Sequence, residues 1–233
     1  MRHTKAVARA LVASMTIVTV AACGSSGGGE KSARTSSTTA STTTTTAPPD
    51  AATLATRLVT VADVPSGYSQ QAPDPSSNDT SDLKICGGPS LEEIVDSASQ
   101  AEVSFLGGTI GPALVEILSA YPSMKEASAV LVAAKAQLGS CTEFSQTDAD
   151  GTTFNYTIAP LSAAKVGDDR VAVRLSTTVE AGSINADVVF VRSGATIVTG
   201  VGVSVLSVFG GGQVQPGQLD AFIAAAVKKA GSK

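Results

Sequence analysis

Asp168, Asp169 and Arg170 stand consecutively at the entrance to an alternating apolar segment, two carboxylates beside a guanidinium. Such a trio can ligate a divalent cation or clamp a charged ligand when its oxygens converge. Adjacent residues of a strand point to opposite faces, so these two acids are expected to diverge and to sit in a solvated turn. Arg174 follows Arg170 by four positions and shares its strand face, while Arg192 belongs to the next alternating segment. Arg170, Arg174 and Arg192 together can grip a carboxylate or phosphate head group through paired N–H bonds, and they are the candidate ligand-binding residues. The bland alternative is three outward arginines on a half-exposed sheet. Only one histidine occurs, His3, and the Ser-His-Asp and Cys-His designs and His-ligated zinc all need an imidazole in the working domain. No catalytic residue, cofactor or metal site is expected.

The three cysteines divide into one and two. Arg2, Lys5 and Arg9 precede the apolar run Ala10 to Val20, which is too short to cross a bilayer and reads as a secretory signal over residues 1–22. Val20-Ala21-Ala22-Cys23 resembles the lipobox of bacterial lipoproteins, which implies lipid on the Cys23 thiol and a mature chain that begins there. Anchoring through two or three acyl chains is stable, since each buried CH₂ contributes about 0.8 kcal/mol. Cys86 and Cys141 are left in an oxidising compartment and are expected to form a disulfide enclosing 54 residues.

Removing the basic residues Arg2, Lys5 and Arg9 takes the formal charge from −4 to −7. An acidic chain has no basic stripe to follow a phosphate backbone, so nucleic acid is not an expected partner. With no Trp, six Phe and three Tyr, aromatic platforms for sugars or bases are poorly supplied.

These residues need elements to position them. Residues 23–50 comprise Cys23 and a Gly, Ser, Thr, Ala and Pro tract with nothing to bury, read as a disordered tether. It reaches roughly 30 Å if flexible and about 90 Å if extended. Residues 51–233 form the extracytoplasmic domain. Leu54, Leu58, Val61 and Ala62 share one face of a first helix that must stop before Pro65. Ser69 to Asp82 reads as a loop following a short strand at Tyr68. Capping boxes at Ser90/Glu93 and Ser123/Glu126 start two further helices, the second ending at Gly139. Glu102 to Phe105 alternates as a strand, and Pro112 opens a predicted helix carrying Leu114, Ile117, Leu118 and Tyr121.

Period two then takes over, around Phe154 to Ile158, Val171 to Leu175 and Ile184 to Phe190, followed by the β-branched run Ile197 to Val208. Gly182-Ser183 and Ser193-Gly194 are placed at hairpin turns, and Gly210-Gly211-Gly212 is read as a flexible turn without the residues of a phosphate loop. A last helix after Pro216 turns Leu219, Phe222, Ile223, Ala226 and Val227 inward. The order implies an α+β fold, an antiparallel sheet with a C-terminal meander packed against helices and one disulfide. The Ile197 to Val208 run is either a central strand or the wall of an acyl-chain cavity.

Taken together, the lipobox, the Thr-rich tether, Asp63-Val64-Pro65-Ser66-Gly67-Tyr68, Cys86 ahead of the Phe105 strand and a helix running into Cys141 form a recurring layout. Val166-Gly167-Asp168 and Arg192-Ser193-Gly194 complete it. The layout resembles the extracellular sensor-like domain of certain mycobacterial receptor serine/threonine kinases and of standalone actinobacterial envelope lipoproteins. That family often carries two disulfides, whereas this chain has cysteines for one besides Cys23. The resemblance implies a non-enzymatic sensing or ligand-binding role, at the cell membrane and on its outer face. Expected partners are the membrane through the lipid anchor, a small-molecule or lipid ligand, and an envelope protein; the alternative role is a lipid or glycolipid carrier.

Overall fold

Ser123 accepts the N–H of Glu126 at 3.2 Å and caps the start of a helix, one half of the expected capping box, and Gln215 with Gln218 cap another whose first residue is proline. In the computed structural model, which describes residues 47–72, 84–89, 93, 97–109, 111–147, 151–180, 182–207 and 210–231, these are α2 (Met124–Leu138) and α3 (Pro216–Ala230). A short α1 (Ala51–Ala55) precedes them, capped by Asp50 Oδ1 on the Thr53 N–H at 2.7 Å. The signal, Cys23, the tether before residue 47 and most of the Ser90 helix lie outside the described residues, as do 73–83.

The strands are β1 (Tyr68–Gln70), β2 (Ser99–Gly107), β3 (Ala113–Ala120), β4 (Glu143–Thr147), β5 (Thr153–Pro160), β6 (Asp169–Val179), β7 (Gly182–Ser193), β8 (Thr196–Ser207) and β9 (Gly210–Gly212). All pair antiparallel, in the order β1-β2-β3-β8-β7-β6-β5-β4, with β9 on β8. α2 carries the chain from β3 to the far edge, and the meander β4 to β8 returns until β8 closes on β3. The fold is therefore α+β and dominated by its sheet, as the period-two segments imply.

Helices cover both faces. On the first face α1 and α3 bury Leu54, Leu219, Phe222, Ile223 and Ala226 against Phe105, Leu114, Leu118, Val189 and Val198. Phe105 and Phe222 meet edge to face with centroids 6.2 Å apart. On the second face α2 sets Ala127, Leu131 and Leu138 against Ile158, Val173, Leu175, Val188 and Phe190. The Cys86–Cys141 disulfide borders this core, with a Cα–Cα distance of 5.8 Å, and ties a short 3₁₀ turn, Ile85–Gly87, to the end of α2. β8 pairs with β3 and β7 and feeds both cores, Val198 to the first and Ile197 to the second, so the aliphatic run is a central strand. Gly200 lets α3 cross closely, because a Cβ there would lie 1.9 Å from Ile223 Cδ1 and that side chain would have to move.

Several expectations are corrected. Residues 113–120 form β3 rather than a helix: Leu114, Glu116 and Leu118 are buried on the first face and Ala113, Val115 and Ile117 half-buried on the other, and the acid Glu116 at a core position breaks the apolar alternation. The first helix is shorter than expected. Leu54 and Leu58 are buried, but Val59 donates its N–H to Glu116 Oε2 instead of continuing a helical ladder, and Val61 stands 54% exposed in a separate 3₁₀ turn, Val61–Asp63. Gly182 is the first residue of β7, paired with Val179 and Ser207, not a turn; a Cβ there would meet the Leu206 carbonyl oxygen at 1.9 Å. Ser193 pairs with Thr196 and leaves Gly194, at φ 62°, in the turn, which fits the Arg192-Ser193-Gly194 hairpin. Gly210-Gly211-Gly212 is not a free turn but β9, bonded to Val205–Ser207. β4 had no signal in the sequence beyond Phe144.

Candidate functional site

The β5–β6 ladder runs out at Pro160↔Val173, and one further rung, Leu161 N–H to the Ala172 carbonyl at 3.0 Å, ends the pairing. The chain then leaves the sheet edge and crosses over the first face. Ala164 donates to Asp220 Oδ1 on α3 at 2.8 Å, Leu161, Ala163 and Val166 pack on the first core, and Asp168 returns by donating to the Arg192 carbonyl at 2.8 Å. Between this loop and the opening of β6 lies an open groove of about 360 Å³, lined by Leu161, Ser162, Ala163, Asp169, Arg170, Val171 and Ala172.

The three candidate arginines do not converge. Arg170 pairs with Val191 and Arg174 with Asp187, both on the first face, as their spacing of four requires. Arg192 pairs with Asp169 and Ile197, which places it on the second face. Four residue steps along the strand separate Arg170 from Arg174 by about 13 Å, too far for one head group. Arg174 is already engaged, its Nε and Nη2 donating to Asp187 Oδ1 and Oδ2 at 2.6 and 2.7 Å. This fork holds the guanidinium pKa above its usual value despite the opposing effect of burial. Arg192 donates from Nη1 to Asp168 Oδ2 at 2.9 Å and to the Gly194 carbonyl at 3.2 Å, and Asp168 Oδ2 also receives the Gly194 N–H at 2.8 Å.

The two acids diverge as strand geometry demands, but neither is merely solvated. Asp168 holds the β7–β8 hairpin through Arg192, whereas Asp169 receives Lys135 Nζ of α2 at 2.6 and 2.7 Å and the Arg170 N–H at 2.8 Å. The Lys135 ammonium is the main reason the Asp169 pKa lies below the ordinary carboxylate value. Arg170 is left as the guanidinium, among the four described arginines, that reaches no protein acceptor.

Glu116 was legible only as a lone acid in an apolar run. It is fully buried between Val103 and Gly200 on the first face. Oε2 accepts the Val59 N–H at 2.7 Å, and Oε1 has no partner. Burial raises its pKa from the usual 4.5 to about 7, opposed by the Val59 bond and the Lys229 charge. Lys229 of α3 also bonds Asp63, pulling that pKa down to about 2, and reaches the Leu58 carbonyl at 3.4 Å. The segment from Leu58 to Asp63 is thus held to the sheet and α3 by charged groups.

No protein-family model matches the chain, and no curated protein matches it. Among solved structures, the extracellular domain of PknH from Mycobacterium tuberculosis shares the fold: TM-score 0.55 and 14% identity, over 78% of this chain and 98% of that one. The chain thus shares the fold of that extracellular domain, and at this identity the likeness carries no residues across. No described helix is long and apolar enough to cross a membrane.

Proposed function

We propose that the chain is an envelope lipoprotein, acylated at Cys23 after removal of residues 1–22, whose domain stands outside the membrane on the Thr-rich tether and acts without catalysis as a ligand-binding, sensor-like module. The observation that carries the reading is the fold shared with the extracellular domain of PknH over nearly all of that domain. The chain's only histidine, His3, falls in the signal, which agrees with binding rather than turnover. The groove at Arg170 is the candidate ligand site, and an actinobacterial envelope is the setting the resemblance implies.

The test has two parts. The full chain, expressed in an exporting actinobacterial host, is expected in the detergent phase after cloud-point extraction, and Cys23→Ala in the aqueous phase. Equal partition of both would refute the anchor. Mass spectrometry of an organic extract of the purified chain is expected to show a stoichiometric small molecule; an empty extract from well-folded protein weighs against ligand binding and for a protein partner.

A further inference from the structure

Arg170 is the described arginine whose side chain neither bonds nor pairs with protein, although it sits half-buried at the wall of a groove. Arg57 reaches the Ala230 carbonyl at 3.4 Å, Arg174 is locked to Asp187, and Arg192 to Asp168. A guanidinium carries five donors in a planar fork and is always charged, so an unengaged one at the wall of a groove is suited to an incoming anion. Leu161, Ser162, Ala163, Val171 and Ala172 line the groove beside Arg170 and Asp169, and more of the lining is polar than apolar. A volume of about 360 Å³ is at the small end of small-molecule sites, which run from about 300 to 1,000 Å³.

The charge balance narrows the anion. One fork faces the groove, and the Asp169 carboxylate in the same lining is held by Lys135 and by the Arg170 N–H. A planar monoanion with two parallel oxygens matches a single guanidinium. A phosphate dianion brings more charge toward Asp169 with no second cation in the lining to meet it.

We infer that the groove between residues 161–163 and the start of β6 is a carboxylate site, in which Arg170 forms a two-point contact with the acid. This rests on the ligand-binding reading above and gives it a chemical class. The acid is either a small free one or the C-terminal carboxylate of a peptide, and the probes separate the two.

The experiment is ligand-observed NMR on the full chain in a neutral detergent, with propionate for a free acid, N-acetylalanine for a peptide terminus, N-acetylalaninamide as the uncharged twin, and inorganic phosphate. At least one carboxylate probe is expected to bind. Arg170→Gln, which breaks no side-chain bond or ion pair with the described residues, should weaken it about tenfold or more at an unchanged melting temperature. Ser162→Phe, at an exposed rim position, should block it sterically and supplies the answer if Arg170→Gln fails to fold.

The assignment is overturned if neither carboxylate binds, if Arg170→Gln binds as well as the unaltered chain, if the amide binds equally, or if phosphate binds more tightly. A stoichiometric molecule retained in the extract of Arg170→Gln, together with silent carboxylate probes, removes the groove but keeps the ligand-binding reading. Silent probes and empty extracts remove both.

Discussion

Glu116→Gln isolates the energetic consequence of placing one carboxyl in the first core. Burial lifts its pKa from 4.5 to about 7, so the folded chain keeps a proton that the unfolded chain releases between those values. The stability this proton confers is fully present below about pH 4 and is lost as pH rises through about 7. At about 1.4 kcal/mol for each pH unit of displacement, the loss is about 3 kcal/mol. Glutamine keeps an oxygen for the Val59 N–H but places an NH₂ where Oε1 has no partner, a cost of about 1 to 3 kcal/mol that does not vary with pH. The informative quantity is therefore the difference between variant and wild type. It should move in favour of the variant by about 3 kcal/mol between about pH 4 and pH 8. Urea unfolding of both proteins, followed by far-ultraviolet circular dichroism at intervals across that range, measures it. A difference that stays constant would refute the reasoning, since it would mean that the folded chain ionises Glu116 as easily as the unfolded one.

The remaining predictions are simpler. Cys86→Ser with Cys141→Ser should lower stability by about 2 to 5 kcal/mol in denaturant melts without altering the sheet signal, because the bridge joins segments 55 residues apart at the border of the second core. Gly200→Ala should cost about 1 to 3 kcal/mol, since Ile223 must move from a Cβ that would overlap its Cδ1; calorimetry reads this as a lowered Tm. Ser123→Ala removes the N-cap of α2 and should cost about 1 kcal/mol in the same assay, while Ser123→Asp should retain most of it. Lys135→Ala should change stability by at most about 1 kcal/mol, because both partners of the Lys135–Asp169 pair are more than a third exposed.

What could be read from sequence depended on whether polar residues fell at the positions that the fold leaves exposed. The strands from β5 to β8 are legible because their apolar residues alternate or, in the central β8, run on without a charge, and α2 and α3 because their caps and stripes agree. β3 misled because Glu116 falls at a core position, between Leu114 and Leu118 of the first core, while Ala113, Val115 and Ile117 on the other face are half-buried. Leu114, Ile117, Leu118 and Tyr121 were then left at helical spacing. The same acid cuts α1 short, because Val59 follows Glu116 and not the helix. Places where local pattern and fold disagree are where a buried polar group has been accommodated. The arginines divide along the same line. Spacing gave Arg170 and Arg174 a shared face, but only the β6–β7 register could set Arg192 on the other, and no pattern announced that Asp187 would claim Arg174.

The edge of β6 joins these observations. A strand edge with free N–H groups invites pairing with another chain, and native folds blunt such edges with charge or with cover. Here β5 leaves at Pro160, and the Arg170 N–H, on the same side of the strand as the Ala172 carbonyl bonded to Leu161, faces the vacated edge. Asp169 folds back onto that N–H while Lys135 holds the carboxylate from α2, so the edge is capped from within its own strand. The cap uses the acid that would otherwise pair with Arg170, and the guanidinium is left facing the groove. A device that discourages strand addition thus also provides a cation for a small acid. The two roles can be separated: Asp169→Asn keeps an oxygen for the Arg170 N–H but removes the negative charge, and should tighten carboxylate binding while leaving the sedimentation of the chain unchanged.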